Sequence, residues 1–464
     1  MRRSLAARKS TVSHHSSPAS TVDTLKQQVH SELFLDAIAA AASRSCERRP
    51  GTAFSTELMV VGLLHLVIER WPALRAMFTQ MIDGAIAGFD PVKASEAAFY
   101  KRLENLPHGF LLELLLGMRP NHAAQRTLKR LKELAPFATA FRVIDESTLD
   151  ALARKSLELR KHARAKAVVL GGRIGCLMDM ATRQLIRLVF EEDADANEKT
   201  HVEALLQGME KGTMVTFDLG YFSFGLFDRL TESGIHFVCR MRKKTSFIVL
   251  QTLVLSPVYR ERIVFLGKHN SEKAAHPCRL VEIKIGGQWW SYLTNVLDPK
   301  TLRADAVWAI YCCRWSIEKV FAVIKRELGM AHIHMTSLNG MLLQLWSTLI
   351  IYQILQDLRL EIAATHGWDD DDVSWTMLRR YITMYSAKDR AGQTLVDYLK
   401  LPRKHASLKK AGVRQRRLTE LPNNVLDAIL QKPTATPEAL PSRKPRQRTW
   451  TKKSAKRVFT VPLG

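Results

Sequence analysis

Several features of exported or membrane proteins are missing from this chain. Its six cysteines, Cys46, Cys176, Cys239, Cys278, Cys312 and Cys313, form no CxxC and no Cys/His metal spacing. A disulfide framework and a structural zinc site are therefore not expected, and a reducing cytoplasm fits. No apolar stretch follows Arg2 and Arg3, so no secretory signal is expected. The longest apolar runs, Leu58–Ile68 and Gly340–Leu355, are short or interrupted by His65, Gln344 and Gln353, which speaks against a membrane span. Acids are scarce at both ends: none precedes Asp23, and Arg443–Arg457 holds eight basic residues and no acid.

What is present is positive charge. Lys plus Arg number 69 against 45 Asp plus Glu, giving 69 − 45 = +24 and a pI near 9.9. Such an excess favours a polyanion, nucleic acid or an anionic membrane surface, as partner. With 46% hydrophobic residues the chain can build a large core and several domains.

Residues 1–25 are Ser- and Arg-rich and read as a disordered basic arm, with a transit peptide as the alternative. Residues 26–135 read as a helical N-terminal domain. Phe54–Met77 carries apolar residues at helical spacing, and Ser95–Leu103 and Arg126–Lys132 are basic helices that would place a helix on DNA or cap the core with a wet face. From Phe141 the pattern changes to short strands ending in acids. These are Phe141–Thr148, a hairpin of Ile174–Asp179 and Arg183–Phe190, Met214–Asp218 and His236–Met241, with a helix at Gly225–Ser233. Strands mixed with helices, with acids at strand ends, fit an α/β, ribonuclease-H-like catalytic core over residues 136–360. Between about 241 and 298 the pattern is β only: Phe247–Leu255, Arg262–Leu266, Arg279–Ile285 and Gln288–Thr294, with a Gly286-Gly287 turn. This reads as an inserted β subdomain. Helices follow at Ser337–Arg359, Trp375–Tyr385 and Leu395–Leu401. Residues 361–432 form a helical C-terminal region suited to dimerisation, and 433–464 a basic disordered tail suited to sequence-independent phosphate binding. The run Asp369–Asp372 precedes a helix, whose dipole it complements.

One stretch organises the rest: Tyr311-Cys-Cys-Arg314-Trp-Ser-Ile-Glu318-Lys-Val-Phe-Ala-Val-Ile-Lys325. No Pro or Gly occurs from Ala304 to Leu328, so a continuous helix is expected. On a helical wheel Tyr311, Arg314, Glu318 and Lys325 share an arc of roughly 60°. Taken alone, Arg314 and Glu318 are also an ordinary ion pair one turn apart. The full pattern, Y-x2-R-x3-E-x6-K, resembles the signature of the DDE transposases of the insertion-sequence-four family.

That resemblance implies that Glu318 completes an Asp-Asp-Glu triad and that Tyr311, Arg314 and Lys325 hold transposon-end DNA. Upstream, Asp145 in Ile-Asp-Glu-Ser-Thr resembles the first acidic motif of the family, and Asp218 in Asp-Leu-Gly-Tyr-Phe-Ser the second. Phe237-Val-Cys-Arg240-Met-Arg242-Lys243-Lys244 matches the strand and cation run that follows. The resemblance covers about Arg142 to Gly329. Glu146 stands where the family usually carries a small residue, so which of Asp145 and Glu146 points into the site stays open at this level. Trp290 matches an aromatic that stacks on an extruded base in relatives that cut through a hairpin; a core Trp in a hairpin is the plain alternative.

The implied chemistry is phosphodiester cleavage and transfer. Two divalent ions about 3.5–4 Å apart serve the attacking and leaving oxygens of an in-line displacement. Mg²⁺ takes hard oxygen ligands, with Mn²⁺ as the alternative ion. Asp145 is expected to bridge both ions, and Asp218 and Glu318 to hold one each. Arg240, Arg242 and Lys243 extend a cationic channel for double-stranded DNA, both inverted repeats and target. The expected protein is a cytoplasmic, nucleoid-associated cut-and-paste transposase, dimeric on DNA. The other readings are a nuclease of the same fold without strand transfer, and a non-catalytic DNA-binding inhibitor of transposition.

Overall fold

The computed structural model describes residues 53–86, 89–118, 125–148, 173–191, 201–268, 272–330, 333–335, 337–386, 398–399, 407–409, 421–431 and 435–438. The expected basic arm, most of the basic tail and most of the Leu395–Leu401 helix lie outside these residues.

The architecture is mixed α/β, a large sheet with helices on both faces. Among the described residues, five helices precede the strands: α1 (Thr56–Ile68), α2 (Leu74–Ile82), α3 (Glu96–Asn105), α4 (Gly109–Gly117) and α5 (Gln125–Leu134). The apolar run Phe54–Met77 is not one helix. It breaks at Trp71-Pro72, because proline removes an amide donor and clashes with the preceding turn. Ser55 caps α1, its hydroxyl accepting the Leu58 amide at 3.1 Å.

The strands are β1 (Phe141–Thr148), β2 (Arg173–Asp179), β3 (Leu185–Glu191), β4 (Met214–Phe217), β5 (His236–Arg240), β6 (Phe247–Leu255), β7 (Tyr259–Leu266), β8 (Cys278–Ile285) and β9 (Gln288–Thr294). They form one sheet in the order β3-β2-β1-β4-β5-β9-β8-β7-β6. β1, β4 and β5 run parallel, while β1-β2-β3 and β5-β9-β8-β7-β6 pair antiparallel. Two short helices, α6 (Val202–Leu206) and α7 (Phe224–Glu232), connect the central strands. The edge of β6 is covered by residues 435–438: the Ala435 amide donates to the Leu253 carbonyl at 3.3 Å, and Gln251 bonds Thr436 and Glu438.

Both faces of the central sheet are buried, so its strands are apolar at consecutive positions. Ile144, Val215, Phe217, Phe237 and Leu293 pack with Leu226, Phe227 and Leu230 of α7 on one face. Val143, Met214, Val238 and Tyr292 pack on the other, with Tyr311 and Ile317.

That second face is covered by α8 (Ala304–Cys313), α9 (Trp315–Ala322), a π-helical turn over Val323–Glu327, and α10 (Leu338–His366). The continuous helix expected through Tyr311–Lys325 is therefore interrupted twice. At Arg314 the bonds tighten, with the Arg314 amide on the Tyr311 carbonyl at 3.0 Å and the Ile317 amide on the Arg314 carbonyl at 3.2 Å. At the far end the Leu328 amide reaches back five residues to Val323 at 3.1 Å.

α10 is the spine. It is 29 residues long and apolar enough by composition to cross a membrane, but 89% of its most apolar window is buried inside this fold. Such a helix, apolar all round, is satisfied by protein on every side. Its interrupting glutamines are buried and serve loops: Gln344 accepts the His334 amide at 3.0 Å, and Gln353 the Leu185 amide at 3.0 Å. The N-terminal helices share its core. Asn339 bonds the His108 amide and the Leu106 carbonyl, and Trp346 donates to His108 at 3.3 Å. Beyond α10 lie α11 (Trp375–Ser386) and α12 (Asn423–Gln431).

Several cations read as DNA-facing are spent on structure. Arg102 of α3 donates to the Phe54 carbonyl and to Thr56, while Arg126 and Arg130 of α5 engage the Gly367 carbonyl and Asp369. The Asp369–Asp372 run is a clamp. Asp371 accepts from Arg183, on the β2–β3 turn, and from Lys319 of α9 at 3.0 Å. Burial works to raise its carboxyl pKa, but Arg183, Lys319 and Arg359 hold it well below the usual range.

Candidate active site

The register of the parallel strands builds the site. Ile144 stands beside Phe217, and Phe217 beside Cys239. One residue further along each chain come Asp145, Asp218 and Arg240, and Arg240 pairs with Tyr292 of β9. Two acids, a guanidinium and a phenol thus form a row across the carboxyl ends of β1, β4 and β5, on the face covered by α8 and α9.

Asp145 points into this face. Its Oδ1 accepts the Glu146 amide at 2.9 Å and its Oδ2 accepts Arg314 Nη1 at 2.8 Å. Arg314 Nη2 reaches Glu318 Oε1, also at 2.8 Å. One guanidinium, only 6% exposed, therefore ties the strand acid to the helix acid. Asp218 caps a short 3₁₀ turn at Leu219–Tyr221, its carboxylate accepting the Gly220 amide. Burial pushes the Asp145 carboxyl up to about 7; Arg314 and the Glu146 amide pull against this, and the charges of Asp218 and Glu318 add to it.

The question between Asp145 and Glu146 is decided. Strand alternation sends Glu146 to the opposite face, where it meets Arg173 and His201.

The other residues divide. Tyr311 is buried against the Tyr292 ring at 5.1 Å, beneath the Arg314 guanidinium, and burial raises its phenol pKa. Arg240 lies 4.7 Å over the Trp290 ring, which is half-buried on the same face of the sheet. Arg242 is exposed, donates to the Leu219 carbonyl at 3.1 Å beside Asp218, and stacks over Phe222. Lys243 and Lys244 are exposed on the turn that follows. Lys325 lies on the π-helical turn, half-buried, so the wheel that placed it in line with Glu318 does not hold over its last turn. Trp315 is 46% exposed beside Arg314.

The donor set is chemically suited to a hard divalent cation: three carboxylates from three elements, packed closely enough to repel. The expected closed ligand set is not formed as the side chains stand. Among the described residues no group of three or more Asp, Glu, His or Cys is arranged to hold a metal ion. The physical reason is Arg314, whose guanidinium occupies the space between Asp145 and Glu318 and already neutralises both.

Two groups escaped the sequence reading. One is the Asp371 clamp on Lys319, next to Glu318. The other is the buried cluster of Glu146, His201, Glu191 and Arg173 beneath the site. Strand alternation is the one signal for Glu146; nothing in the chain marks His201.

The site thus sets Asp145 of β1 and Asp218 after β4 beside a helix acid, Glu318, which Arg314 joins to Asp145. Residues 138–354 match the transposase DDE domain family. A putative transposase, y4zB, of Sinorhizobium fredii (strain NBRC 101917 / NGR234) is 28% identical over 178 residues, 37% of this chain and 49% of that protein. The transposase InsG for insertion sequence element IS4 of Escherichia coli (strain K12) is 22% identical over 215 residues, 44% of this chain and 47% of that one. The chain spans about half the length of these curated relatives. Over less than half of its length the chain is thus similar to a transposase DDE domain and to these two transposases. The cryo-EM structure of a piggyBac transposase synaptic complex with hairpin DNA aligns with 92% of this chain and 87% of that one, at TM-score 0.43 and 13% identity, a likeness too low to carry an inference.

Proposed function

We propose that this chain is the transposase of an insertion sequence, which binds terminal inverted repeats and carries out metal-dependent strand cleavage and strand transfer by a cut-and-paste route. The observation that carries the reading is the row Asp145–Asp218–Arg240 at the ends of adjacent strands, joined to Glu318 through Arg314. The strand order β3-β2-β1-β4-β5, with the last three parallel, supports a ribonuclease-H-like core, and β6–β9 an inserted β subdomain.

Asp145, Asp218 and Glu318 would hold two divalent cations, Mg²⁺ or Mn²⁺, once Arg314 gives up its carboxylates. When bound, these ions would supply charge neutralisation at the attacking and leaving oxygens. Arg314 then becomes free to pair with a DNA phosphate, and Arg240, Arg242 and Lys243 continue the cationic track. Trp290 and Trp315 offer faces for unstacked bases. In cleavage, water attacks phosphorus and the P–O3′ bond breaks, leaving a 3′-hydroxyl and a 5′-phosphate. In joining, that 3′-oxygen attacks a target phosphorus and displaces another 3′-oxygen, so the number of phosphodiester bonds is conserved. Two element ends require two such sites, hence a homodimer on DNA.

The test is incubation of the purified protein with the terminal repeats flanking its own gene and Mg²⁺, scoring nicks, hairpins and joined products. Glu318→Ala is expected to abolish cleavage, a loss of at least about 10³-fold, while leaving end binding largely intact. A wild type that cuts and never joins would make this a nuclease. A wild type that binds and never cuts would make it a DNA-binding inhibitor.

A further inference from the structure

β1 delivers two acids in succession, and the site uses one. Glu146 leaves the strand on the far face, where its carboxylate is 4% exposed. It accepts Arg173 Nη1 at 3.2 Å and lies 3.1 Å from His201 Nδ1. The other ring nitrogen, Nε2, lies 3.2 Å from Glu191 Oε2 on β3. With a carboxylate at each nitrogen, the ring satisfies both by donating twice, as an imidazolium. Two buried negative charges, Glu146 and Glu191, thus face two positive ones, His201 and Arg173. The ring is 1% exposed and stands at the start of α6.

Asp145 and Glu146 stand in the carboxyl half of β1, beyond its last pair with β4 at Ile144–Phe217 and held from one side, by Cys176 and Gly175 of β2. Because their side chains leave opposite faces, a twist of this half-strand that moves one carboxylate moves the other. A buried charge that loses a partner is costly, which favours such a twist.

We propose that His201, with Arg173 and Glu191, is a positioning residue for Asp145: by anchoring Glu146 beneath the sheet, it locks the end of β1 so that Asp145 alone faces Arg314, Asp218 and Glu318. The inference rests on the reading of Asp145 as a metal-holding acid. It goes beyond that reading in assigning its geometry to a network that touches neither metal nor DNA.

The experiment titrates the full-length protein with Mn²⁺ and reads bound ion by electron paramagnetic resonance, with no turnover involved. His201→Gln leaves Arg173 alone against the two buried acids and is expected to weaken Mn²⁺ binding about tenfold. Adding Glu146→Gln removes the excess buried charge and is expected to restore most of that loss. A merely structural role lowers thermal stability and leaves the Mn²⁺ affinity of the folded protein unchanged; that result overturns the proposal. Should His201→Gln not fold, Glu191→Gln is read the same way, with an expected loss of about threefold. Asp145→Asn is the control. If it too leaves Mn²⁺ binding intact, or the wild type takes up none, the metal-site reading fails. Positioning is then judged by amide hydrogen exchange at Asp145–Thr148. Exchange is expected to quicken in His201→Gln and return toward wild type in the double variant, and no change sinks the idea.

Discussion

At the scale of single residues, Arg314 and His201 do the same work on opposite faces of β1. Each is a buried cation between two carboxylates, and each stands in the low-dielectric interior where an unpaired charge is costly. Their consequences differ. On the proposed reading Arg314 sits where metal ligands converge and has to move, while His201 sits behind and has to stay. Burial alone would lower the His201 pKa, but the hydrogen bonds and charges of Glu146 and Glu191 outweigh it and raise the pKa to about 9. The sign follows. A folded-state pKa above the unfolded value of about 6.5 stabilises the fold fully below that pH, and the gain is lost as pH rises through about 9. Melting temperature measured from about pH 6 to pH 10 is expected to decline for the wild type, and to decline less for the Glu146→Gln/His201→Gln protein. Equal slopes would mean that the ring is neutral in the folded state.

At the scale of elements, α10 carries the largest share of the packing. Its composition would suit a membrane, and its place is the centre of the core, because helices and sheet cover it on every side. Trp346 is fully buried and donates to His108 of the N-terminal helical layer. Trp346→Ala is expected to cost about 3–5 kcal/mol, from lost burial and the cavity left behind. Urea denaturation followed by far-UV circular dichroism measures this, and a loss below about 1 kcal/mol would show that α10 repacks freely. The broken α8–α9–π-turn segment matters in the other direction. It has a tight turn at Arg314, whose guanidinium meets Asp145, and a wide turn that contains Lys325. No sequence rule marks either break, since the stretch has no Pro or Gly and favours helix throughout. The break near Pro72 does carry a signal, the proline itself, but apolar periodicity on both sides of it hid it.

At the scale of the whole molecule, the charge of +24 is the property most directly coupled to a DNA partner. Fluorescence anisotropy with a labelled terminal repeat is expected to give an affinity that falls about 10³- to 10⁵-fold between 50 and 200 mM salt, as for about 6–10 phosphate contacts. A flat salt dependence would argue that the excess cations serve the fold. Some do: Arg102, Arg126 and Arg130 bind carbonyls, a hydroxyl and an acid within the chain. Net charge counts such residues with the free ones, because composition carries no information about burial.

The sequence by itself determined which chemistry this chain can host. The Tyr311–Lys325 spacing marked one acid among cations, and acids at the ends of β-rich runs marked Asp145 and Asp218, because strand and helix periods are local properties of the backbone. It also determined the alternation of α and β, and the β-only run before Glu318. Tertiary structure alone decided the rest. It chose Asp145 over Glu146, since both faces of β1 are apolar and only the partners across space, Arg314 above and His201 below, tell them apart. It turned the Asp369–Asp372 run into a clamp on α9, and it set a guanidinium, 169 residues along the chain from Asp145, between two acids. Charge pairing acts through distance in space, and chain order does not encode that distance.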